Sequence, residues 1–139
     1  SAINAYHRVK NAFLEPYPGV IPMFITLIKR GIKLGVITDA PALKAHLRID
    51  AMKLRGFFDV VITEAKKPDP KGFLEAVKKL KFKPEEVMMI GDWPKKDIVG
   101  AKGAGLITCF AKYGQTEDLD VKVEADYTIH RIEEIMGII

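Results

Sequence analysis

Asp92 and Asp97 stand just past an apolar run, Val87-Met88-Met89-Ile90, that ends at Gly91. Carboxylates converging at the tip of a strand suit a hard, oxygen-loving cation such as Mg²⁺. Thr38 and Asp39 close a second apolar run, and Lys67 lies in a polar connection locked by Pro68. A hydroxyl, an ammonium and two carboxylates can together handle a phosphate. The hydroxyl and nearby backbone amides would hold its oxygens, while Lys67 and the metal neutralise charge. Taken singly, each residue has a plainer reading. Gly91-Asp92 could be a turn, Asp97 and Thr38 helix caps, Asp39 turn chemistry before Ala40-Pro41, and Lys66-Lys67 a solvated loop. Trp93 reads either as core or as a wall beside the site. The order Thr…Lys-Pro…Gly-Asp…Asp along alternating elements is what chance seldom supplies.

Those elements follow from periodicity and punctuation. Residues 2–14 read as a helix with Ile3, Tyr6, Val9, Lys10 and Phe13 on one stripe. Glu15-Pro16-Tyr17-Pro18-Gly19 breaks it. A helix over 20–30 turns Ile21, Phe24, Ile25 and Ile28 inward and stops at Gly31. Strand 32–37 leads into Thr38-Asp39, and helix 41–55 buries Leu43, Leu47, Ile49 and Met52. Strand 57–62 follows, then a polar connection in which Asp69 caps a helix over 70–80 that packs Phe73, Val77 and Leu80. Strand 87–90 precedes Gly91, where a missing Cβ permits close approach of another group. Beyond Asp97 come a small-residue helix 98–104, strand 106–111, a polar loop 113–124, an edge strand 127–129 and a short helix 132–136. Strands alternating with short helices mean crossover connections and an α/β fold with a mostly parallel sheet. Every forward strand then delivers its last residues to one edge.

Composition agrees with one ordinary domain: 139 residues, 48% hydrophobic and 29% charged. No apolar run reaches the length of a membrane span, and no leader is recognised, so no membrane association is expected. The single Cys109 excludes an internal disulfide framework, lies in an apolar run and favours a reduced, cytoplasmic setting. A net charge of +4 comes from scattered lysine pairs without interleaved aromatics, which argues against nucleic-acid binding and is compatible with a small anionic substrate.

The arrangement closely resembles the haloacid dehalogenase-like (HAD) hydrolases, a superfamily dominated by Mg²⁺-dependent phosphatases. The resemblance runs from about Tyr17 to the end, on Pro18-Gly19-Val20, Val36-Ile37-Thr38-Asp39, Lys67-Pro68-Asp69-Pro70, and Ile90-Gly91-Asp92 with Asp97. It is nearest the branch of phosphoglycolate phosphatases, haloacid dehalogenases and archaeal sugar-phosphate phosphatases. The resemblance implies a Rossmann-like three-layer core over 16–139, with residues 1–15 as the remnant of a helical cap. It implies that Thr38 and the Asp39 amide bind the transferring phosphoryl group. Lys67 would steady the nucleophile and the developing charge, and Asp92 with Asp97 would hold Mg²⁺. Lys67 and Asp92 are thus the expected catalytic residues, and a small phosphorylated metabolite the expected partner.

The family's nucleophile, an aspartate in an Asp-x-Asp run on the first core strand, has no counterpart here. Asp118-Leu119-Asp120 lies in the polar loop with no strand before it. The first strand is therefore expected to be missing from its place between the strands ending at Thr38 and Asp92. Exposed inner edges would then favour self-association or binding of the absent segment. Three explanations stay open: a truncated remnant of a longer hydrolase, a segment supplied by another polypeptide, or flanking strands that pair directly. Two functional classes follow. One is the C-terminal part of a phosphatase working through an aspartyl-phosphate, inactive by itself. The other is a catalytically dead module that binds phosphate, metal or a partner. A receiver-like signalling domain is argued against, because Thr38 precedes both Lys67 and Asp92.

Overall fold

A computed structural model describes residues 19–114 and 124–139, together with the backbone course of residues 2–5. Six parallel strands form one sheet: β1 (Ala2–Ala5), β2 (Lys33–Ile37), β3 (Val60–Ile62), β4 (Val87–Gly91), β5 (Ile107–Ala111) and β6 (Tyr127–Ile129). Their spatial order is β3-β2-β1-β4-β5-β6. Four helices connect or flank them: α1 (Val20–Lys29), α2 (Ala42–Ala51), α3 (Lys71–Leu80) and α4 (Val99–Gly103). The chain steps outward from β1 to β3, then crosses back to β4 and steps the other way. Strand order thus reverses between β1 and β4, where open α/β sheets place their ligands.

The N-terminus departs from the helix expected over 2–14. Residues 2–5 are strand, and 6–14, like the rest of the supposed cap remnant, lie outside the described residues. Ala2, Ile3 and Asn4 register against Lys33, Leu34 and Gly35 of β2, while Ala2 to Ala5 register against Val87 to Ile90 of β4. The place expected to lack a strand is therefore filled, and β2 and β4 do not pair directly. The physical reason is the demand of two facing edges. Each presents a row of N–H and C=O groups that costs free energy when left unpaired, and a four-residue segment satisfies both. Local helical periodicity is worth less than that.

Helices cover both faces. On one side α1, α2 and the C-terminal turn Ile132–Gly137 enclose Phe24, Leu27, Leu34, Ile49, Cys109, Ile129 and Ile135. On the other, α3 and α4 enclose Ile37, Ile62, Phe73, Val77, Met89 and Ala101. Burial on both faces explains why β4 reads as an unbroken apolar run rather than an alternating one. Within α3, Phe73, Val77 and Leu80 are buried as the spacing predicts. Asp69 accepts a hydrogen bond from the Lys71 N–H at 2.9 Å, so it caps the helix from one residue further out than expected.

Two helices are rotated from the expected faces. In α1 the inward stripe is Val20, Met23, Phe24 and Leu27, leaving Ile25 and Ile28 exposed. In α2 the inward residues are Ala45, Ile49 and, just past the helix, Met52, while Leu43 and Leu47 are 74% and 60% exposed. In α1 two overlapping apolar stripes of i, i+3/i+4 spacing lie one residue or about 100° apart. In α2, by contrast, Leu43 and Leu47 lie two residues, about 200° around the axis, from Ala45 and Ile49, so apolar residues sit on nearly opposite faces. The face that packs against the sheet is the one carrying Phe24 and Leu27 in α1 and Ile49 in α2.

Among the described residues no helix is long and apolar enough to cross a membrane. Cys109 lies fully buried, and burial, helped by the Glu134 charge, pushes its thiol up to about 12. Because the thiolate is the reactive form, maleimide at pH 8 should leave the folded chain unlabelled over hours and label it within minutes in 6 M guanidinium. Rapid labelling of the folded chain, read by intact mass, would contradict the core described here.

Candidate active site

Three loops leave the carboxyl rim next to one another, after β2, β3 and β4. The first is an extension of the sheet. The Thr38 N–H donates to the Ile62 carbonyl at 2.9 Å, the Ala65 N–H to the Thr38 carbonyl at 3.0 Å, and the Glu64 N–H to the Ala40 carbonyl at 3.0 Å. The loop after β3 turns tightly through Glu64 and Lys66, both with left-handed backbones at φ 53° and 54°, into a cis Lys67–Pro68 bond. The loop after β4 is a wide π-type turn, Pro94–Ile98. Pro94 opens it without a backbone N–H to leave unsatisfied.

A buried ion pair ties the second loop to the third. Lys67 Nζ lies 2.6 Å from Asp97 Oδ1, with the two side chains only 5% and 1% exposed. Asp97 Oδ2 accepts the Trp93 N–H at 3.1 Å. The first loop joins through Asp39. Its Oδ1 accepts the Lys67 backbone N–H at 2.8 Å, and its Oδ2 lies 3.1 Å from Lys96 Nζ. Lys96 Nζ in turn sits 4.4 Å from the centroid of the Trp93 ring. The circuit Trp93–Asp97–Lys67–Asp39–Lys96–Trp93 is closed, so each loop is fixed by the other two.

Two glycines make room for it. A Cβ on Gly91 would come 2.6 Å from Asp97 Oδ2 and closer still to the Asp97 Cβ. Gly91 thus serves the close approach that the sequence suggests, and the approaching group is Asp97. On Gly100 a Cβ would lie 2.5 Å from the Phe73 ring and 3.2 Å from the Pro68 Cα, so α4 presses directly on the loop that carries Lys67.

Thr38, Asp39, Ala40, Arg48, Lys67, Trp93, Lys96 and Asp97 line one cleft of about 140 Å³. Thr38, Asp39, Lys67 and Asp97 are thus gathered together. Thr38 Oγ accepts the Ala40 N–H at 3.1 Å, which leaves its own hydroxyl proton available to an acceptor in the cleft. Asp39 cannot offer its carboxylate to an anion, and its backbone amide is the part suited to phosphate. Asp92 is placed differently. Half-buried at the end of β4, it is not among the cleft-lining residues, and a Cβ on Gly114 would lie 2.6 Å from its Oδ2. Among the described residues no three His, Cys, Asp or Glu side chains cluster as a ready-made metal cage.

Sequence reasoning missed Lys96 and Arg48 and left Trp93 open. Lys96 immediately precedes Asp97 in a turn already singled out, which is the signal that could have found it. Arg48 gave no such signal, because its place depends on how α2 is rotated.

A doubly wound parallel sheet with its polar residues gathered beside the reversal of strand order defines a Rossmann-like α/β protein with a polar cleft at its carboxyl rim. Comparison with known proteins narrows the class. The profile of the haloacid dehalogenase-like hydrolases matches residues 2–111, and the chain belongs to that family. A glyceraldehyde 3-phosphate phosphatase of Methanopyrus kandleri is 38% identical over 146 residues, covering 100% of this chain and 63% of its own length. That of Pyrococcus furiosus is 36% identical over 145 residues, covering 100% and 60%. The crystal structure of an HAD phosphatase from Thermococcus onnurineus matches with a TM-score of 0.78 and 33% identity, over 88% of this chain and 57% of its own. The chain therefore spans about three-fifths of the length of the curated relatives it matches.

Removing one member of the buried pair should strand the other charge. Asp97→Leu or Lys67→Met alone is expected to cost about 3–5 kcal/mol in urea unfolding, whereas the double variant should recover most of the loss. Additive losses in that cycle would show that the two charges do not stabilise one another. Gly91→Ala, which forces Asp97 aside, should cost about 1–3 kcal/mol by the same measurement.

Proposed function

We propose that the chain is the C-terminal part of a Mg²⁺-dependent phosphatase that hydrolyses small phosphate monoesters through an aspartyl-phosphate. The nucleophilic aspartate belongs to a segment outside these 139 residues. The observation that carries the reading is the cleft itself, where Thr38, Lys67 and Asp97 meet beside the reversal of strand order. Thr38 donates its hydroxyl proton to a phosphoryl oxygen, and the Asp39 amide holds another. Lys67, aimed by Asp97, balances charge on the nucleophile and on the transferring group. As a buried ammonium on a pinned backbone it can do so without reorganising.

The donor set fits Mg²⁺, which needs only one or two carboxylates alongside waters and phosphate oxygens. Asp92, outside the cleft lining but next in sequence to the cleft-lining Trp93, would supply the direct carboxylate. Asp97, whose oxygens already accept from Lys67 and Trp93, would act through water. Bound there, the ion would offset phosphoryl charge. The lone buried Cys109 fits a reduced cytoplasmic setting, and a small phosphorylated metabolite is the partner that the cleft suits.

One observation favours a second reading, a non-catalytic module that binds phosphate. The central strand β1 reads Ala-Ile-Asn-Ala and has no carboxylate to be phosphorylated. Assay of p-nitrophenyl phosphate with Mg²⁺ separates the two. The 139-residue chain should show no turnover, while a form extended upstream by an Asp-x-Asp strand that takes the central place held here by β1 should hydrolyse the ester and lose activity on chelation or with Asp92→Asn. An inactive extended form would leave the binding module standing, and robust hydrolysis by the 139-residue chain would refute the account of the nucleophile.

A further inference from the structure

Five charged side chains line the cleft: Asp39, Arg48, Lys67, Lys96 and Asp97. Four are matched in pairs, Lys67 with Asp97 and Lys96 with Asp39. Arg48 is the remaining one. It is half-buried, and among the described residues no carboxylate lies within ion-pair distance of it. Uncompensated positive charge in a concave, partly desolvated place is a site for an anion.

Position says which anion. α2 begins at Ala42, just past the Thr38-Asp39 tip, and Arg48 lies six residues along it, about 9 Å at 1.5 Å per residue. Helical side chains lean back toward the N-terminus, and Arg48 lines the same cleft as Thr38 and Lys67. A small ligand whose phosphate is held at Thr38 and Lys67 would thus present its other end to Arg48. A planar guanidinium fork matches carboxylate or phosphate bidentately, and with the phosphate placed at Thr38 and Lys67 a carboxylate is the group left for it. We infer that Arg48 is a specificity-determining residue that binds a carboxylate at the far end of a short phosphate monoester, making small phosphorylated acids the preferred ligands of this cleft. The inference rests on the phosphate-binding role proposed above for the cleft.

The test uses two ligands of one carbon skeleton, 3-phosphoglycerate and glycerol 3-phosphate, which differ in the carboxylate. Their dissociation constants for the 139-residue chain are measured by titration calorimetry with Mg²⁺ present. The unsubstituted chain should bind the acid at least tenfold more tightly. Arg48→Gln should abolish that preference by weakening the acid about tenfold and the alcohol less than twofold. Arg48→Lys, which keeps the charge and loses the fork, should restore part of it. Should Arg48→Gln fail to melt cooperatively, Arg48→Lys alone decides, and an undiminished preference in it overturns the fork. Equal weakening of both ligands would mean that Arg48 holds the phosphate, and unchanged binding would mean that it holds neither. Either result overturns the inference and leaves the phosphate site standing. A chain that binds neither ligand and no inorganic phosphate overturns both.

Discussion

Lys67 and Asp97 meet where neither charge could remain alone. Both are nearly inaccessible to water, and an isolated ion in such surroundings would cost several kcal/mol. Their contact is therefore a condition on every element that brings them there. Gly91 must lack a side chain so that Asp97 can lie against β4. The turn after β4 must be wide enough to fold Asp97 back onto the Trp93 N–H. The loop after β3 must turn twice through left-handed backbone to present Lys67 inward. Replacing the pair by apolar groups is often neutral for stability. Retaining it makes sense where a buried, fixed ammonium has chemical use, which is the role proposed above for Lys67.

The ion pair also explains why the rim behaves as one unit. Asp39 accepts from the Lys67 backbone on one side and pairs with Lys96 on the other, so the loop after β2 cannot shift without moving both lysines. Lys96 lies over the Trp93 ring, and the Trp93 N–H returns to Asp97. Beneath this circuit the sheet is continuous because β1 fills the space between β2 and β4. Both flanking strands are apolar throughout most of their length and buried on both faces. A gap there would expose polar backbone inside the core, which costs more than the ordering of four residues.

Much of this was legible in the order of residue types. Strands ending at Ile37, Ile62, Gly91 and Ala111 follow from apolar runs bounded by turn residues, and parallel pairing follows from the helices between them. Thr38, Asp39, Lys67 and Asp97 converge because successive parallel strands point one way. Partner choice was not legible. Nothing in the spacing says that Asp97 takes Lys67, or that Lys96 takes Asp39, because those contacts depend on loop backbones that bring residues 30 and 57 positions apart together. Helix rotation was ambiguous for a related reason. In α1 two neighbouring stripes satisfy the same period, in α2 apolar residues occupy opposite faces, and packing against the sheet, which periodicity does not encode, decides which is buried. The strand at Ala2–Ala5 was hidden most completely, since its conformation answers to the edges of β2 and β4 rather than to its own sequence.

The two edges of the sheet show the opposite balance, with local chemistry deciding. β6 has three residues, yet it is held by a clasp from the preceding chain. Asp126 Oδ2 accepts from both the N–H and the hydroxyl of the fully buried Thr108, at 2.8 and 3.0 Å, while the Asp126 N–H donates to the Thr108 hydroxyl oxygen at 3.0 Å. At the other edge, Asp59 exchanges bonds with the Leu34 backbone just before β3 begins, its N–H donating at 2.7 Å and its Oδ2 accepting at 3.0 Å. Each edge strand is thus short and entered through an aspartate that reads the neighbouring strand's register. Carboxylates perform the same task at the rim, where Asp39 and Asp97 read the loops after β3 and β4. Register at the edges and geometry at the cleft therefore rest on one device, a short acidic side chain accepting a backbone N–H, from a neighbouring element for Asp126, Asp59 and Asp39 and from its own turn for Asp97. A one-residue slip in either outer strand would pull these acceptors from their donors, and the cost would fall on buried, unsatisfied amides.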